Sequence, residues 1–492
     1  MTDQVTQFYA YVDSDAHQEG FIQRLADGVK FPSISSDTTE EGRQHVIDMG
    51  HWLRDQFASF VAQPDDAQLV ELEDPDDPNL PPLVLVRIGT DATKKTLTVY
   101  GHYDVQPVDG WKEANPNNPD PFTLGRESDG RLVGRGATDD KGPVIGWLNV
   151  LEAHKSIAQS LGKQLDEILP VNIRFLFEGM EESDSVGLDK WIKEEVAKPD
   201  KGWFKGVDCV CITDNYWLTT SQPAVTYGLR GIAYFSIHIT GATNDLHSGS
   251  FGRMVHEPMT DLVKLLGKLV EADGVIFKGV EDMVPPPTDA EREEYAKLHY
   301  SVADLQKDTG NPVELSENYT DLLMGRMRYP SLSIHGIKGA PTAVSTIIPH
   351  EIWGRFSIRL VGDQTPKDVQ DIVTQFLNEE FDKLQSKNVM EIEIGPDGMP
   401  WVGNKDHWNF QAADAATRAV YKVAPDYTRE GGSIPVTLTL EEALDVNVLL
   451  LPMGRSDDGA HSLHEKIDRY NFINGTKLFG TYLYELAKVQ TS

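Results

Sequence analysis

Histidine and carboxylate side chains follow several apolar runs of this 492-residue sequence, at the points where strands would end. In the first case, Thr96–Tyr100 is apolar and β-branched, which predicts a buried strand, and Gly101 allows the chain to turn. His102 and Asp104 come directly after this turn. Because ligands of α/β proteins bind at the carboxyl ends of strands, the segment predicts a binding site. A solvated loop with ordinary polar side chains is the alternative for this segment taken alone.

The same arrangement returns further along the chain. A strand predicted at Val171–Phe177 is followed by two glutamates, a strand at Val207–Ile212 by an aspartate, and a helix starting at Pro143 is preceded by two aspartates. Taken singly, these residues are explained as helix caps, turn caps or solvated loops. Because the carboxyl ends of parallel strands meet at one edge of a sheet, we expect the set to lie together. The further candidates are Asp139, Asp140, Glu181, Glu182, Asp214 and His461.

Two imidazoles and several carboxylates, with no thiolate among them, suit a divalent zinc or manganese ion. Five ligands that share one carboxylate would make a site for two metals. Such a site polarises a carbonyl and lowers the pKa of bound water from ~15.7 to roughly 7. If the adjacent Glu181 and Glu182 point in different directions, one can bind metal while the other transfers protons. The pattern therefore predicts metal-assisted hydrolysis.

The elements that carry these residues predict an α/β fold. Strands and helices alternate up to about residue 224, which indicates a mixed, mostly parallel sheet flanked by helices. From Gly231 the pattern changes to alternating strands with two long helices, and the helix–strand pattern returns near Trp401. We therefore expect a catalytic domain formed by residues 1–224 and 399–492, with an α+β domain of residues 225–398 inserted into it.

Composition narrows the possible partners and location. The formal net charge of −32 disfavours binding to nucleic acid or to anionic membranes. No apolar run approaches the length of a membrane span, and Met1–Gln18 lacks the apolar core of a signal peptide, so a cytoplasmic protein is expected. The two cysteines, Cys209 and Cys211, have the wrong spacing for a zinc knuckle or a redox pair and are expected to be buried thiols.

Eight segments, in order along nearly the whole chain, resemble the cocatalytic metallopeptidases related to glutamate carboxypeptidase and aminoacylase. The resemblance is strongest to their dipeptidase branch, which includes cytosolic non-specific dipeptidase, the carnosinases and the fungal Cys-Gly dipeptidase. It implies a zinc-exopeptidase-like fold whose inserted domain serves as lid and dimerisation domain. The segments are Gly101–Pro107, Gly134–Gly142, Glu178–Ser183, Asp208–Trp217, Thr226–Gly231, Asp245–Gly249, Glu430–Pro435 and Asp457–Ser462.

The resemblance implies a role for each metal candidate. His102 and Asp214 would bind one metal, Glu182 and His461 the other, and Asp139 would bridge the two. The family carries a cis peptide bond at the position of Asp139–Asp140.

The resemblance also implies roles for two further carboxylates in these segments. Asp104 would fix the His102 imidazole by a hydrogen bond. Glu181 would be the general base, which takes a proton from the metal-bridging water and later donates it to the leaving amine.

The same resemblance implies a set of substrate contacts. Arg359 would bind the C-terminal carboxylate of the substrate, with Thr346 and Ser433 donating hydrogen bonds nearby. His247 would stabilise the tetrahedral oxyanion from the partner subunit of a homodimer. His461 would also contact the substrate.

Taken together, the residues and the resemblance predict a metal-dependent dipeptidase that uses a metal-bridging hydroxide. Its substrates would be dipeptides with a free C-terminal carboxylate, among them Cys-Gly as in glutathione breakdown. Two alternatives remain open: an N-acyl amino acid hydrolase on the same site, and a catalytically inactive homologue that only binds ligands.

Overall fold

The computed structural model describes residues 3–75, 77–341 and 346–489. Contacts between Cα atoms divide the chain into two compact units. The first unit comprises Met1–Tyr227, Gly403–Thr428 and Val436–Ser492, and the second unit comprises Gly228–Val402 and Arg429–Pro435. None of the helices in the described ranges has the length and apolar character needed to cross a membrane.

The helices and strands agree closely with the periodicity of the sequence. The helices are α1 (Asp3–Val12), α2 (Asp15–Val29), α3 (Glu40–Ala58), α4 (Trp111–Ala114), α5 (Lys141–Leu161), α6 (Leu165–Ile168), α7 (Leu188–Val196), α8 (Ser248–Phe251), α9 (Pro258–Leu266), α10 (Lys278–Glu281), α11 (Asp289–Tyr295), α12 (Val302–Thr309), α13 (Tyr319–Met327), α14 (Pro366–Leu384), α15 (Trp408–Tyr421), α16 (Val436–Leu444) and α17 (Arg469–Lys488). The strands are β1 (Ala67–Val70), β2 (Leu83–Ile88), β3 (Thr96–His102), β4 (Gly125–Arg126), β5 (Arg131–Val133), β6 (Asn172–Glu178), β7 (Cys209–Ile212), β8 (Ala224–Leu229), β9 (Gly231–Thr240), β10 (Leu246–His247), β11 (Ser331–Lys338), β12 (Ile347–Ile348), β13 (Glu351–Leu360), β14 (Val389–Gly398), β15 (Trp401–Val402), β16 (Asp426–Glu430), β17 (Asn447–Leu450) and β18 (Lys466–Asp468).

The first unit is built around a mixed sheet with the strand order β1-β2-β6-β3-β7-β17-β8. Its centre is parallel: β3 pairs with β6 and β7, and β17 pairs with β7 in the same direction. Every residue of β3, β6, β7 and β17 is buried, which is expected for parallel strands covered by helices on both faces. The predicted α/β class with a mostly parallel sheet is confirmed. Both cysteines lie in β7 and are buried, free thiols.

The register of the central strands explains why polar residues meet at one edge. Tyr100 pairs with Leu176 of β6 and with Ile212 of β7, and His102 pairs with Glu178. The three strands therefore end at nearly the same level. The chain segments that follow them must emerge side by side at the carboxyl edge of the sheet.

The second unit contains a four-stranded antiparallel sheet with the order β11-β13-β9-β14. Strand β9 alternates between buried and partly exposed residues, so the sheet has one covered face. Helices α9 and α14 pack on that face, where Phe235 and Phe356 stack with ring centroids 4.9 Å apart. A separate two-stranded ladder pairs Leu246 with Ile348 and His247 with Ile347.

The sequence boundaries assign residues 429–435 to the last domain segment, whereas the contacts group Arg429–Pro435 with the second unit. The Arg230 N–H lies 3.2 Å from both the Glu430 and the Gly432 carbonyl oxygens. The Ser433 hydroxyl donates to the Arg230 carbonyl at 2.5 Å. These backbone contacts span a long stretch of sequence, so the local pattern does not reveal them.

Candidate metal centre

Asp139 lies between two histidines and contacts each with a different carboxylate oxygen. Its Oδ1 lies 3.1 Å from His102 Nε2, and its Oδ2 lies 3.2 Å from His461 Nε2. The same histidine nitrogens approach two further carboxylates: His102 Nε2 is 3.7 Å from Asp214 Oδ2, and His461 Nε2 is 3.1 Å from Glu182 Oε2. The structure thus brings the five predicted metal ligands together, with Asp139 in the central position.

The spacing and chemistry of these donors fit divalent metal ions. Zinc bonds of about 2.0–2.1 Å in tetrahedral geometry place neighbouring ligand atoms roughly 3.3 Å apart. The donor atoms around Asp139 are separated by 3.1 to 3.7 Å. Imidazole and carboxylate donors without thiolate suit zinc or manganese.

The electrostatics of the cluster favour positive charge. Burial, followed by the nearby Asp139 charge, raises the pKa of Asp214 to about 7. Hydrogen bonds to Asp139 and Glu182 raise the pKa of His461 to about 11. Asp139 is itself buried, but hydrogen bonds from the two histidines lower its pKa. Carboxylates that stabilise a protonated imidazole to this extent would also stabilise a metal cation that replaces the proton.

Asp104 contacts His102 and the Glu181–Glu182 backbone and so helps to position both. Its Oδ1 lies 3.3 Å from His102 Nδ1, the nitrogen that faces away from Asp139. The same carboxylate accepts the backbone N–H of Glu181 at 3.2 Å and that of Glu182 at 3.0 Å. One completely buried side chain therefore orients a histidine ligand and also fixes the 3₁₀ turn Glu181–Ser183.

Glu181 lies close to the same histidine and to Asp214. One of its oxygens belongs to a group in which the ligand atoms of His102, Glu181 and Asp214 are all within 4.8 Å of one another. Glu181 is half-buried, and burial raises the pKa of its carboxyl group well above the usual range. Its position beside two ligands is compatible with proton transfer, and its role as general base stays a prediction.

The structure adds two contacts to those expected from the sequence. Gln106 Nε2 donates to Glu182 Oε2 at 2.6 Å, and Asp140 Oδ2 accepts the backbone N–H of His102 at 3.2 Å. Asp140 occupies the N-cap position of α5 but makes no side-chain capping bond, so the capping explanation does not hold for it. Sequence reasoning did not identify Gln106 as a hydrogen-bond donor to Glu182. The one indication in the sequence is its position two residues after Asp104. The peptide bond between Asp139 and Asp140 is cis.

A second acidic group, formed by Asp457, Asp458 and Asp468, has the spacing of a metal site but already contains a cation. Lys466 Nζ lies 2.8 Å from an Asp457 oxygen and 2.7 Å from an Asp458 oxygen, and it also pairs with Asp468. Arg455 adds a second cation, which pairs with Asp457 at 2.7 Å and with Asp468 at 2.9 Å. This group is therefore an ion-pair cluster, and the centre around Asp139 is the metal candidate.

Four of the predicted substrate residues lie in the second unit, in two pairs, and the fifth, His461, lies in the first unit. Arg359 Nη1 donates to the Ser433 hydroxyl at 3.2 Å. The Thr346 carbonyl accepts the N–H of Ser248 at 2.8 Å, which places Thr346 beside His247. The His247 ring accepts the Gly249 N–H at Nδ1 at 3.0 Å. The predicted metal ligands lie in the first unit.

Known proteins resemble this chain over almost its full length. A model of peptidase family M20/M25/M40 matches residues 98–485, which include every metal candidate. A Cys-Gly metallodipeptidase of Candida albicans is 47% identical over 481 residues, covering 95% of each chain. The Beta-Ala-His dipeptidase of Homo sapiens is 39% identical and covers 96% of this chain and 92% of its own. A solved structure of the di-peptidase Dug1p from Saccharomyces cerevisiae is 42% identical, covers 100% of both chains and superimposes with a TM-score of 0.85. The chain therefore belongs to peptidase family M20/M25/M40 and is a hydrolase of peptide bonds.

Proposed function

We propose that this protein is a dipeptidase that uses two divalent metal ions, zinc or manganese, and that Cys-Gly is among its substrates. The observation that carries the proposal is the position of Asp139, with one carboxylate oxygen on His102 and the other on His461. His102 and Asp214 would hold one ion, and Glu182 and His461 the other. The names of the relatives, Cys-Gly metallodipeptidase and Beta-Ala-His dipeptidase, support a dipeptide as substrate.

Ions bound by these residues would polarise the scissile carbonyl and lower the pKa of the attacking water. The protein residues then move the protons. Glu181 takes the proton of the attacking water and returns it to the leaving amine, a task that the raised pKa of its carboxyl group supports. Asp104 keeps Glu181 and His102 in register through its three contacts.

Arg359 is proposed to bind the C-terminal carboxylate of the dipeptide. Its guanidinium donates to a neutral hydroxyl, that of Ser433, so donors remain for an anion. Positive charge is concentrated here, since burial and the nearby charges of Arg359 and Arg326 lower the pKa of Arg230 to about 10. A carboxylate anchor of this kind favours a free dipeptide over substrates without that group. It does not separate dipeptides from N-acyl amino acids, which also carry a free carboxylate.

His247 is proposed to act on the oxyanion in a homodimer, from the subunit that partners the metal centre. Because its Nδ1 accepts the Gly249 N–H, the neutral ring carries its proton on Nε2, which is the form that donates a hydrogen bond. The edge strand β11 supports association of two copies, since most of its residues are exposed, among them Ile334. The cytoplasmic location predicted from the sequence remains part of this proposal.

Hydrolysis should depend on bound metal and on a dipeptide substrate. Exhaustive chelation should reduce the rate on Cys-Gly by at least roughly a hundredfold, and zinc or manganese should restore it, because the carboxylate cluster needs a cation to polarise the peptide carbonyl. The measurement is a panel of Cys-Gly, other dipeptides and N-acetyl amino acids with metal analysis of each sample. Full activity in metal-free protein would refute the mechanism, and preferential cleavage of N-acetyl amino acids would favour the acylase alternative.

Neighbouring glutamates should respond differently to the same substitution. Glu181→Gln should lower kcat by roughly 10²–10⁴-fold while metal content stays unchanged, because a proton acceptor is lost. Glu182→Gln should lower metal content as well, because Glu182 contacts His461 and Gln106 as a ligand would. Metal analysis and kcat of the two variants check the assignment, which is wrong if both lose metal equally.

Arg359→Ala should raise KM for free dipeptides roughly tenfold to a hundredfold, since charge-assisted hydrogen bonds contribute about 1.5–3 kcal/mol. Dipeptide amides, which lack the carboxylate, should be affected much less. Arg355→Ala is the matched control, because Arg355 lies exposed on the same strand, β13. Equal increases in KM for acids and amides would show that Arg359 is not the carboxylate anchor.

Two inactive variants should restore activity when combined. His247→Ala and Glu181→Ala each remove one part of a site that is proposed to be shared between subunits. After co-expression, random pairing makes about half the dimers mixed, and each mixed dimer has one intact site of two, so activity should approach roughly a quarter of wild type. Differential tags isolate the mixed dimer. No activity in isolated mixed dimers would show that His247 does not act across the interface.

A further inference from the structure

A completely buried glutamate, Glu465, holds the loop that presents the central aspartate of the metal centre. Its Oε2 accepts Arg135 Nη1 at 2.7 Å and the Gly136 N–H at 3.0 Å. Its Oε1 accepts the backbone N–H groups of Thr138 at 3.0 Å and of Asp139 at 3.1 Å. Both oxygens therefore have two donors each, and all four donors belong to the single loop that ends at Asp139.

The backbone of this loop is wrapped closely around the carboxylate. Gly136 adopts a φ of +82°, and a Cβ at this position would lie 2.9 Å from Val105 Cγ1. The Gly134 N–H adds a bond of 3.2 Å to the Glu465 carbonyl. The loop is thus fixed by both the side chain and the backbone of one residue, and its N–H groups point inward because an anion accepts them.

The Arg135 partner of this glutamate extends the network to a second ligand segment. Its Nη2 donates to the Pro107 carbonyl at 3.0 Å, at the end of the segment that begins with His102. Arg135 is 1% exposed, and its guanidinium carbon lies 5.7 Å from the Trp111 ring centroid. The ion pair therefore connects the loop of Asp139 to the segment of His102.

Glu465 itself belongs to the third ligand segment, four residues after His461. It immediately precedes β18, in which Lys466 pairs with Val133 of β5, just before the loop begins. Three chain segments that carry His102, Asp139 and His461 thus meet at one buried ion pair. These are the three residues whose mutual distances of 3.1 and 3.2 Å define the bridge.

We propose that Glu465 is a positioning residue of the metal centre, which holds the Asp139 carboxylate at the correct distance from both His102 and His461. The proposal rests on the metal-binding function proposed above. It assigns Glu465 no contact with substrate or with reacting atoms. Its effect is on metal binding. The effect should be largest for the second ion to bind, because that ion must share Asp139 with the first.

The test is Glu465→Gln, which keeps the size of the side chain but replaces one acceptor oxygen with an NH₂ group that faces two N–H donors. We expect a folded protein whose affinity for metal falls roughly 10- to 100-fold for at least one of two ions, the range seen when residues that orient ligands are changed. Metal-free protein is titrated with zinc against a chromophoric chelator, and circular dichroism monitors folding. After zinc has been added back, kcat should be lowered by a larger factor than that by which KM changes.

Glu195→Gln is the matched control. Glu195 is also a buried carboxylate that accepts a backbone N–H, from Trp203 at 2.6 Å, but it belongs to α7 and holds the segment Pro199–Phe204. It should bind zinc like the wild type. A merely structural role of Glu465 would lower thermal stability in both variants and leave the zinc affinity of both unchanged.

Arg135→Lys is the second variant, because lysine keeps the charge but cannot reach Glu465 and Pro107 with a planar pair of donors. Reduced zinc affinity in folded Glu465→Gln or Arg135→Lys supports the proposal. Wild-type affinity in both, or failure of both to fold, overturns it. If the wild-type protein itself binds no zinc or manganese, the proposed function fails. If the wild type and both variants bind metal equally well, only the proposed role of Glu465 fails.

Discussion

Repulsion among buried carboxylates is the constraint on which this molecule depends. Asp139, Asp140, Glu181, Glu182 and Asp214 crowd the carboxyl edge of one sheet, with two histidines among them. Two unit charges about 4 Å apart interact by about 4 kcal/mol at an effective dielectric constant of about 20, so the fully ionised set is costly. Burial, followed by repulsion from a neighbouring aspartate, raises the pKa of both Asp140 and Asp214. Divalent cations bound among these carboxylates would offset this cost and would polarise a peptide carbonyl for hydrolysis.

A cluster that repels itself keeps its geometry only if the surrounding protein is rigid. The parallel strands supply the first constraint, because β3, β6 and β7 end at the same level and are completely buried. Backbone N–H groups supply the second constraint by donating hydrogen bonds to the carboxylates of Asp104 and Glu465. Lys141 adds a third, since its buried ammonium donates to the carbonyls of Gly28 and Phe31 at the end of α2. Asp104, Glu465 and Lys141 are all completely buried and hydrogen-bonded, which is the condition for burying a polar group.

The sequence predicted most of the fold and the meeting of histidines and carboxylates at one sheet edge because the signals for both are local. Apolar runs that end in histidine or carboxylate identify strands and their polar ends without knowledge of the tertiary structure. Contacts between distant segments have no such signal. Glu465 sits between His464 and Lys466 in an ordinary polar stretch, and its partners at Arg135–Asp139 lie more than half the chain away. Residues 429–435 group with the second unit for the same reason, through backbone bonds to Arg230.

The place of β17 in the sheet has a consequence for biosynthesis. This strand lies between β7 and β8, although the ribosome adds it only after the whole second unit has been made. Until then the nascent chain carries β7 with one unpaired edge of apolar residues, Cys209–Ile212, which is the kind of edge that pairs with other chains. His461 follows still later, so the candidate metal centre is complete only when translation is almost finished. The edge of β7 that pairs with β17 therefore stays exposed to pairing with other chains until β17 has been synthesised.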